Sequence, residues 1–248
     1  MNSAEKELNY FWQSDNEPMK YKHIFFDLDH TLWDFETNSV NALKQLYETE
    51  KLLERGIVNF DNFHRRYKYI NDRYWAKYHH GHATKAQVRV NRFLDALHEF
   101  GVKDADLAER MAQGYLDISP KLNALFPDTV EVLQYLQSKY TLHLITNGFA
   151  EVQWIKLEHS GLRPFFEHIV ISEEVGTQKP NKEIFEIAMQ RANTVVDACI
   201  MIGDNFNTDI LGAKNAGMDQ IFFNPKKDRV RDTVTHVITE LKELKKIL

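Results

Sequence analysis

The sequence predicts an α/β protein: a doubly wound parallel sheet with an all-helical segment inserted behind its first strand. Three observations carry that expectation. Short runs rich in Ile, Phe and Val alternate with helical stretches from about residue 124 onward, residues 34–120 contain no strand-like run, and three of the strand-like runs end in polar clusters. A length of 248 residues suits one domain carrying a large insertion better than one minimal domain or two full ones.

Taken in order, residues 1–19 show charges without a clear period and are read as a leader, either a loose extension or an ordered helix. The first strand is expected over 21–26. Inside the insertion, Val40, Leu43 and Tyr47 step by three and four ahead of Gly56, and Phe60, Phe63, Tyr67, Ile70 and Tyr74 do the same. Stretches over 88–100 and 107–116 bring the set to about four helices. Helices are then expected over 128–139, 150–160, 182–191 and 208–216, interleaved with strands at 141–145, 168–171, 199–202 and 220–223. These strands are not strictly alternating, as strands covered on both faces should be. The division that follows is a core of residues 20–33 and 121–248 with a helical cap of residues 34–120.

Composition narrows the class of function. With 31 basic against 36 acidic residues the formal charge is −5, the wrong sign for holding a nucleic acid polymer through its phosphates. Apolar runs of four or five residues are far short of the roughly 18 needed to cross a bilayer. A lone Cys199 cannot form an internal disulfide, and the N-terminal stretch lacks the apolar run of a secretory signal. A reducing, cytoplasmic setting is therefore expected, with the chain as a monomer or homodimer.

The polar clusters are Asp27-Leu28-Asp29-His30-Thr31, Thr146-Asn147-Gly148 and Gly203-Asp204-Asn205, with Lys179-Pro180 after the strand at 168–171. Parallel strands lie about 4.8 Å apart, so side chains leaving neighbouring carboxyl ends can meet on one small ligand. Two like charges about 4 Å apart repel by roughly 4 kcal/mol at an effective dielectric near 20, so gathered carboxylates need a cation. Asp27 and Asp204, with the Asp29 backbone carbonyl, offer the hard oxygen donors that suit Mg²⁺. Lys179 would neutralise a phosphate while Thr146 and Asn147 donate hydrogen bonds to it.

These residues, with a further acid at Asp209, resemble the four motifs of the haloacid dehalogenase superfamily in order, and the helical insertion resembles that superfamily's C1 cap. The stretches Thr146-Asn147-Gly148-Phe149, Ile171-Ser172-Glu173-Glu174-Val175-Gly176 and Lys179-Pro180-Asn181-Lys182 are similar to the YjjG-type noncanonical pyrimidine nucleotidases. In the cap the similarity is carried by Trp75, Tyr78 and Gly81. The resemblance implies Asp27 as a nucleophile forming an aspartyl-phosphate, Asp29 as general acid and then base, and Asp209 tying Lys179 or a metal-bound water. It implies a Mg²⁺-dependent phosphatase of nucleoside 5′-monophosphates. A sugar-phosphate phosphatase or phosphomutase is the alternative within the fold, and a non-catalytic binding protein the alternative outside it.

The remaining features have plainer readings. His79, His80 and His82 have no second ligand group at metal spacing and read as a surface loop near Gly81. Cys199 reads as a packed core residue and the basic stretch 226–231 as a solvated loop. Substrate selection must come from the cap, because the core motifs recognise only phosphate and metal. Trp75 and Tyr78 are the expected lining of a base pocket, against the alternative of cap-core packing.

Overall fold

A computed structural model describes residues 20–230 and 232–248; the expected leader, residues 1–19, lies outside the described residues. The sheet has six strands in the order β3-β2-β1-β4-β5-β6, all parallel: β1 His23–Phe26, β2 Thr141–Thr146, β3 His168–Ile171, β4 Cys199–Gly203, β5 Asp219–Phe223 and β6 His236–Ile238. The chain leaves β1 with β2 on one side and β4 on the other. The switch point of this doubly wound sheet, where such folds bind ligands, is therefore the carboxyl end of β1.

Residues of β1 split between two apolar layers. Ile24 and Phe26 pack with Leu144, Ile200 and Ile202 on one face, and Phe25 packs with Ile145, Met201 and Phe185 on the other. Burial on both faces explains the unbroken apolar pattern, each such side chain contributing about 1.5–3 kcal/mol. Cys199 lies in the second layer, free and buried. The five expected strands are present; β6 is an addition. It is three residues long at the sheet edge and buries only Ile238, too little for an apolar pattern to announce it.

Four helices follow β1: α1 Phe35–Thr49, α2 Phe60–His79, α3 Lys85–His98 and α4 Ala105–Ile118. Each starts at a polar cap. Asp34, Asn59 and Asp104 accept from a backbone N–H three residues on, and Thr84 with Gln87 forms a reciprocal capping box. Helix α1 stops at Thr49, before the expected Gly56, and the chain turns through the intervening residues. These helices enclose an apolar core of their own, including Leu43, Phe63, Phe93, Leu97 and Met111, all fully buried.

The two ends of this helical segment meet. The Asp34 N–H donates to the Ala124 carbonyl at 3.0 Å, and Asn38 exchanges two hydrogen bonds with the Ala124 backbone at 2.9 and 3.0 Å. The remaining helices flank the sheet: α5 Thr129–Gln137, α6 Ala150–His159, α7 Ser172–Val175, α8 Lys182–Arg191, α9 Leu211–Asn215 and α10 Leu244–Ile247. Ahead of α9, residues Phe206–Ile210 form a wider π turn where the sequence predicts the start of an α-helix at 208.

Candidate active site

Asp27 and Asp204, at the carboxyl ends of β1 and β4, meet Asp209 and Lys179, the lysine arriving from the loop after β3 and α7. Asp27 continues β1, its N–H bonded to the Ile202 carbonyl at 2.9 Å. Lys179, 2 % exposed, lies 2.6 Å from Asp27 Oδ1 and 2.7 Å from Asp209 Oδ1, and donates to the Ile145 carbonyl at 2.8 Å. All three of its ammonium protons thus have protein acceptors. What it offers a phosphate is its charge, the role expected of it from the sequence. Burial would lower its pKa, but Asp209 and Asp27 raise it well above the ordinary lysine value.

Asp204 directly follows β4 and shares Thr31 with Asp27: the Thr31 hydroxyl lies 3.3 Å from a carboxylate oxygen of each and accepts from the Asp204 N–H at 3.1 Å. One oxygen each of Asp27, Asp204 and Asp209 fall within 4.8 Å of one another. Burial, with the charge of Asp209 added and Lys179 opposing, pushes Asp27 up to about 7. Burial and the charges of Asp27 and Asp209 push Asp204 up to about 8. Carboxylates whose charged forms are disfavoured by burial and by one another are the donor set a hard divalent cation relieves, so these residues fit such an ion. Asp209, engaged by Lys179 and by the Asn205 N–H at 3.0 Å, is the least free of the three. It packs where Gly203 has no side chain: a Cβ there would overlap its carboxylate.

Asp29 points elsewhere. Lys156 Nζ, on α6, donates to both of its oxygens at 2.7 and 2.8 Å, and Gln153 Nε2 donates to Oδ2 at 3.0 Å. Burial pulls the Asp29 carboxyl up, but the Lys156 charge and these hydrogen bonds outweigh it and hold it below the usual carboxylate range. Its side chain is therefore separate from the Asp27–Asp204–Asp209 group, and only its backbone carbonyl remains as the metal donor expected from the sequence. Lys156 and Gln153 were missed in the sequence. Their one trace there is that they lie three apart on a helix, with Leu157 beside them as a buried neighbour.

The two predicted phosphate donors differ. Thr146 Oγ1 accepts from Gln153 Nε2 at 2.6 Å, which leaves its own hydroxyl proton for an acceptor in the cavity. The Asn147 amide holds the backbone of Lys179, donating one N–H to its carbonyl at 2.8 Å and accepting from its N–H at 2.9 Å. Asn147 thus fixes the lysine while also lining the cavity.

Above these groups lies a cavity of about 390 Å³, with Asp27, Thr146 and Lys179 on the core side and Asn71, Trp75 and Arg92 on the cap side. Trp75 is in its wall, stacked on Phe149 with ring centroids 5.0 Å apart. Tyr78 sets its edge against Phe149 at 5.3 Å and is outside the cavity lining, so it supports the wall rather than forming it. His80 and His82 stack on each other at 6.3 Å, both exposed.

Residues 21–217 match the haloacid dehalogenase-like hydrolase family. The chain belongs to that family. Among haloacid dehalogenase-like relatives it is 32% identical over 233 residues to the pyrimidine 5′-nucleotidase YjjG of Escherichia coli (strain K12), covering 93% of this chain and 99% of that protein. The pyrimidine 5′-nucleotidase PynA of Streptococcus pneumoniae is 34% identical, with 84% and 85% covered. A glyceraldehyde 3-phosphate phosphatase of Methanothermobacter thermautotrophicus is 32% identical, with 92% and 99% covered. The magnesium-bound orthorhombic crystal structure of YfnB from Bacillus subtilis superposes with a TM-score of 0.82 at 30% identity, covering 92% of this chain and 98% of that one. The chain is thus an enzyme, a haloacid dehalogenase-like phosphatase. No helix among its described residues is long and apolar enough to cross a membrane.

Proposed function

We propose that this enzyme is a Mg²⁺-dependent phosphomonoesterase that hydrolyses nucleoside 5′-monophosphates, pyrimidine nucleotides among them, through an aspartyl-phosphate on Asp27. The observation that carries this reading is the cavity itself. Its floor is the buried Asp27–Lys179 pair with half-buried Asp204, and its volume and aromatic wall of Trp75 and Phe149 suit a base and sugar better than a bare triose. The helices of residues 34–120 are the cap that closes over the substrate. The relatives named as pyrimidine nucleotidases support the nucleotide; the glyceraldehyde 3-phosphate phosphatases keep a small sugar phosphate as the second reading.

In the proposed reaction an Asp27 oxygen forms a bond to phosphorus as the bond to the substrate's 5′ oxygen breaks, and that oxygen takes a proton from Asp29. Water then attacks the phosphorus, Asp29 recovers a proton, and the bond to Asp27 breaks. Asp29 is held as a carboxylate by Lys156, ready for the second step; the first requires it to arrive protonated. Thr146 donates its hydroxyl proton to a phosphate oxygen, and Lys179 supplies positive charge while holding Asp27 in line. A Mg²⁺ ion held by Asp27, Asp204 and the Asp29 carbonyl would neutralise charge between nucleophile and phosphate.

Phosphate release across a panel of nucleotides, sugar phosphates and acetyl phosphate, with Mg²⁺ and with excess EDTA, tests this. Preferential hydrolysis of nucleoside monophosphates that EDTA abolishes is expected. Preference for triose phosphates would favour the second reading, and full activity in EDTA would exclude the metal.

A further inference from the structure

On the cap side of the cavity is a cation with no counter-charge among the described residues. Arg92, on α3, is 5% exposed and forms part of the cavity wall. Its Nη1 donates to Asn71 Oδ1 at 2.8 Å, its Nε has no acceptor, and among the described residues no carboxylate lies within ion-pair distance of it. The contrast with Arg89, one turn earlier on the same helix, is direct, because that guanidinium is paired with Glu151.

The Arg92 guanidinium rests on aromatic rings instead: Tyr115 at 4.8 Å, Phe93 at 5.2 Å and Tyr67 at 5.8 Å. Ring faces steady a cation but accept few hydrogen bonds in the plane of the fork. A buried, unpaired charge costs stability, and an apolar residue of similar length would avoid that cost. The structure therefore keeps a buried donor from the cap in the wall of the same cavity that Asp27 and Lys179 line.

We propose that Arg92, oriented by Asn71, determines specificity by donating to an oxygen acceptor at the end of the substrate remote from the phosphate, a carbonyl oxygen of the nucleobase. This inference rests on the nucleotide reading above. Its chemistry would equally serve a carboxylate on a small phosphorylated acid, and the test separates the two sources. Acetyl phosphate, which has neither a base nor a carboxylate, offers it no such acceptor and serves as the control.

Steady-state kinetics with uridine 5′-monophosphate, phosphoglycolate and acetyl phosphate should be compared in the wild type, Arg92→Met and Arg92→Lys, alongside melting temperatures. Methionine matches the length, packs on aromatic rings and removes the charge. Expected for Arg92→Met is a KM for uridine 5′-monophosphate raised tenfold or more with kcat nearly retained, kcat/KM for acetyl phosphate within about threefold, and a melting temperature equal to or above the wild type. Arg92→Lys should recover part of the nucleotide KM. Parallel losses on nucleotide and acetyl phosphate with a lowered melting temperature would make Arg92 structural and overturn the proposal, as would an unchanged nucleotide KM. If Arg92→Met does not fold, Asn71→Ala with the same selective rise in nucleotide KM supports the proposal, and an unselective loss overturns it. If the wild type ignores the nucleotide but hydrolyses phosphoglycolate in an Arg92-dependent way, the nucleotide reading and the base carbonyl fall together, while the acceptor site passes to a carboxylate.

Discussion

At the residue scale, the decisive contrast is between Asp27 and Asp29, two positions apart and in opposite electrostatic settings. Asp27 shares Lys179 with Asp209 and faces Asp204, whereas Asp29 has Lys156 to itself. Asp27→Asn should lower turnover by a thousandfold or more while the chelated protein keeps its melting temperature or gains, because one of several mutually repelling charges is gone. Residual activity near wild type in a sample checked for deamidation would exclude Asp27 as nucleophile. Asp29→Ala should let the phosphoenzyme accumulate, since the base for water attack is lost. With p-nitrophenyl phosphate, whose leaving group needs little protonation, stopped-flow should show a burst near one equivalent followed by turnover slowed at least about a hundredfold. A linear trace would contradict the base role. The acids and Lys179 were legible in the sequence because each follows an apolar strand and lies in a recognisable order. Lys156, Gln153 and Arg92 were not, because each lies inside an amphipathic helix where a polar side chain ordinarily faces water; only the tertiary contact turns it inward.

At the scale of elements, strands were read more securely than their consequences. The extent of β3 and of α8 followed from their apolar and helical patterns, whereas β6 and the π turn at Phe206–Ile210 left no pattern to read. One result of pairing β1, β2 and β3 is a row of imidazoles. His143 stacks between His23 at 5.3 Å and His168 at 5.4 Å, with His23 Nδ1 3.0 Å from His143 Nε2. Burial, reinforced by His23 and His168, pushes His143 down to about 3 from 6.5. The folded protein then keeps this ring neutral while the unfolded chain takes a proton below 6.5, so stability falls as pH drops from 6.5 toward 3. The slope is at most about 1.4 kcal/mol per pH unit for this one group. Melting temperatures between pH 7 and pH 4.5 should decline less in His143→Phe than in the wild type; parallel curves would show that the acid sensitivity arises elsewhere.

At the scale of the whole molecule, the alternation of strands and helices after residue 124 announced the sheet, and the strandless stretch before it announced a separate helical body. That body was expected as a cap on the core, but how its ends are tied was not legible, since nothing local records that Asp34 and Asn38 close onto Ala124. That junction makes the helical body a closed excursion of the chain, with its own interior and a narrow covalent waist. Entropy of loop closure grows only as the logarithm of length, so lengthening such an excursion costs the sheet about 0.6 kcal/mol per doubling. The expectation is that the two bodies unfold in separate cooperative events. Amide hydrogen exchange in rising urea should show α1 to α4 losing protection as one block, at a denaturant concentration different from that which releases β1, β2 and β4. A single midpoint shared by every slow amide would mean that the waist transmits unfolding as completely as an uninterrupted core.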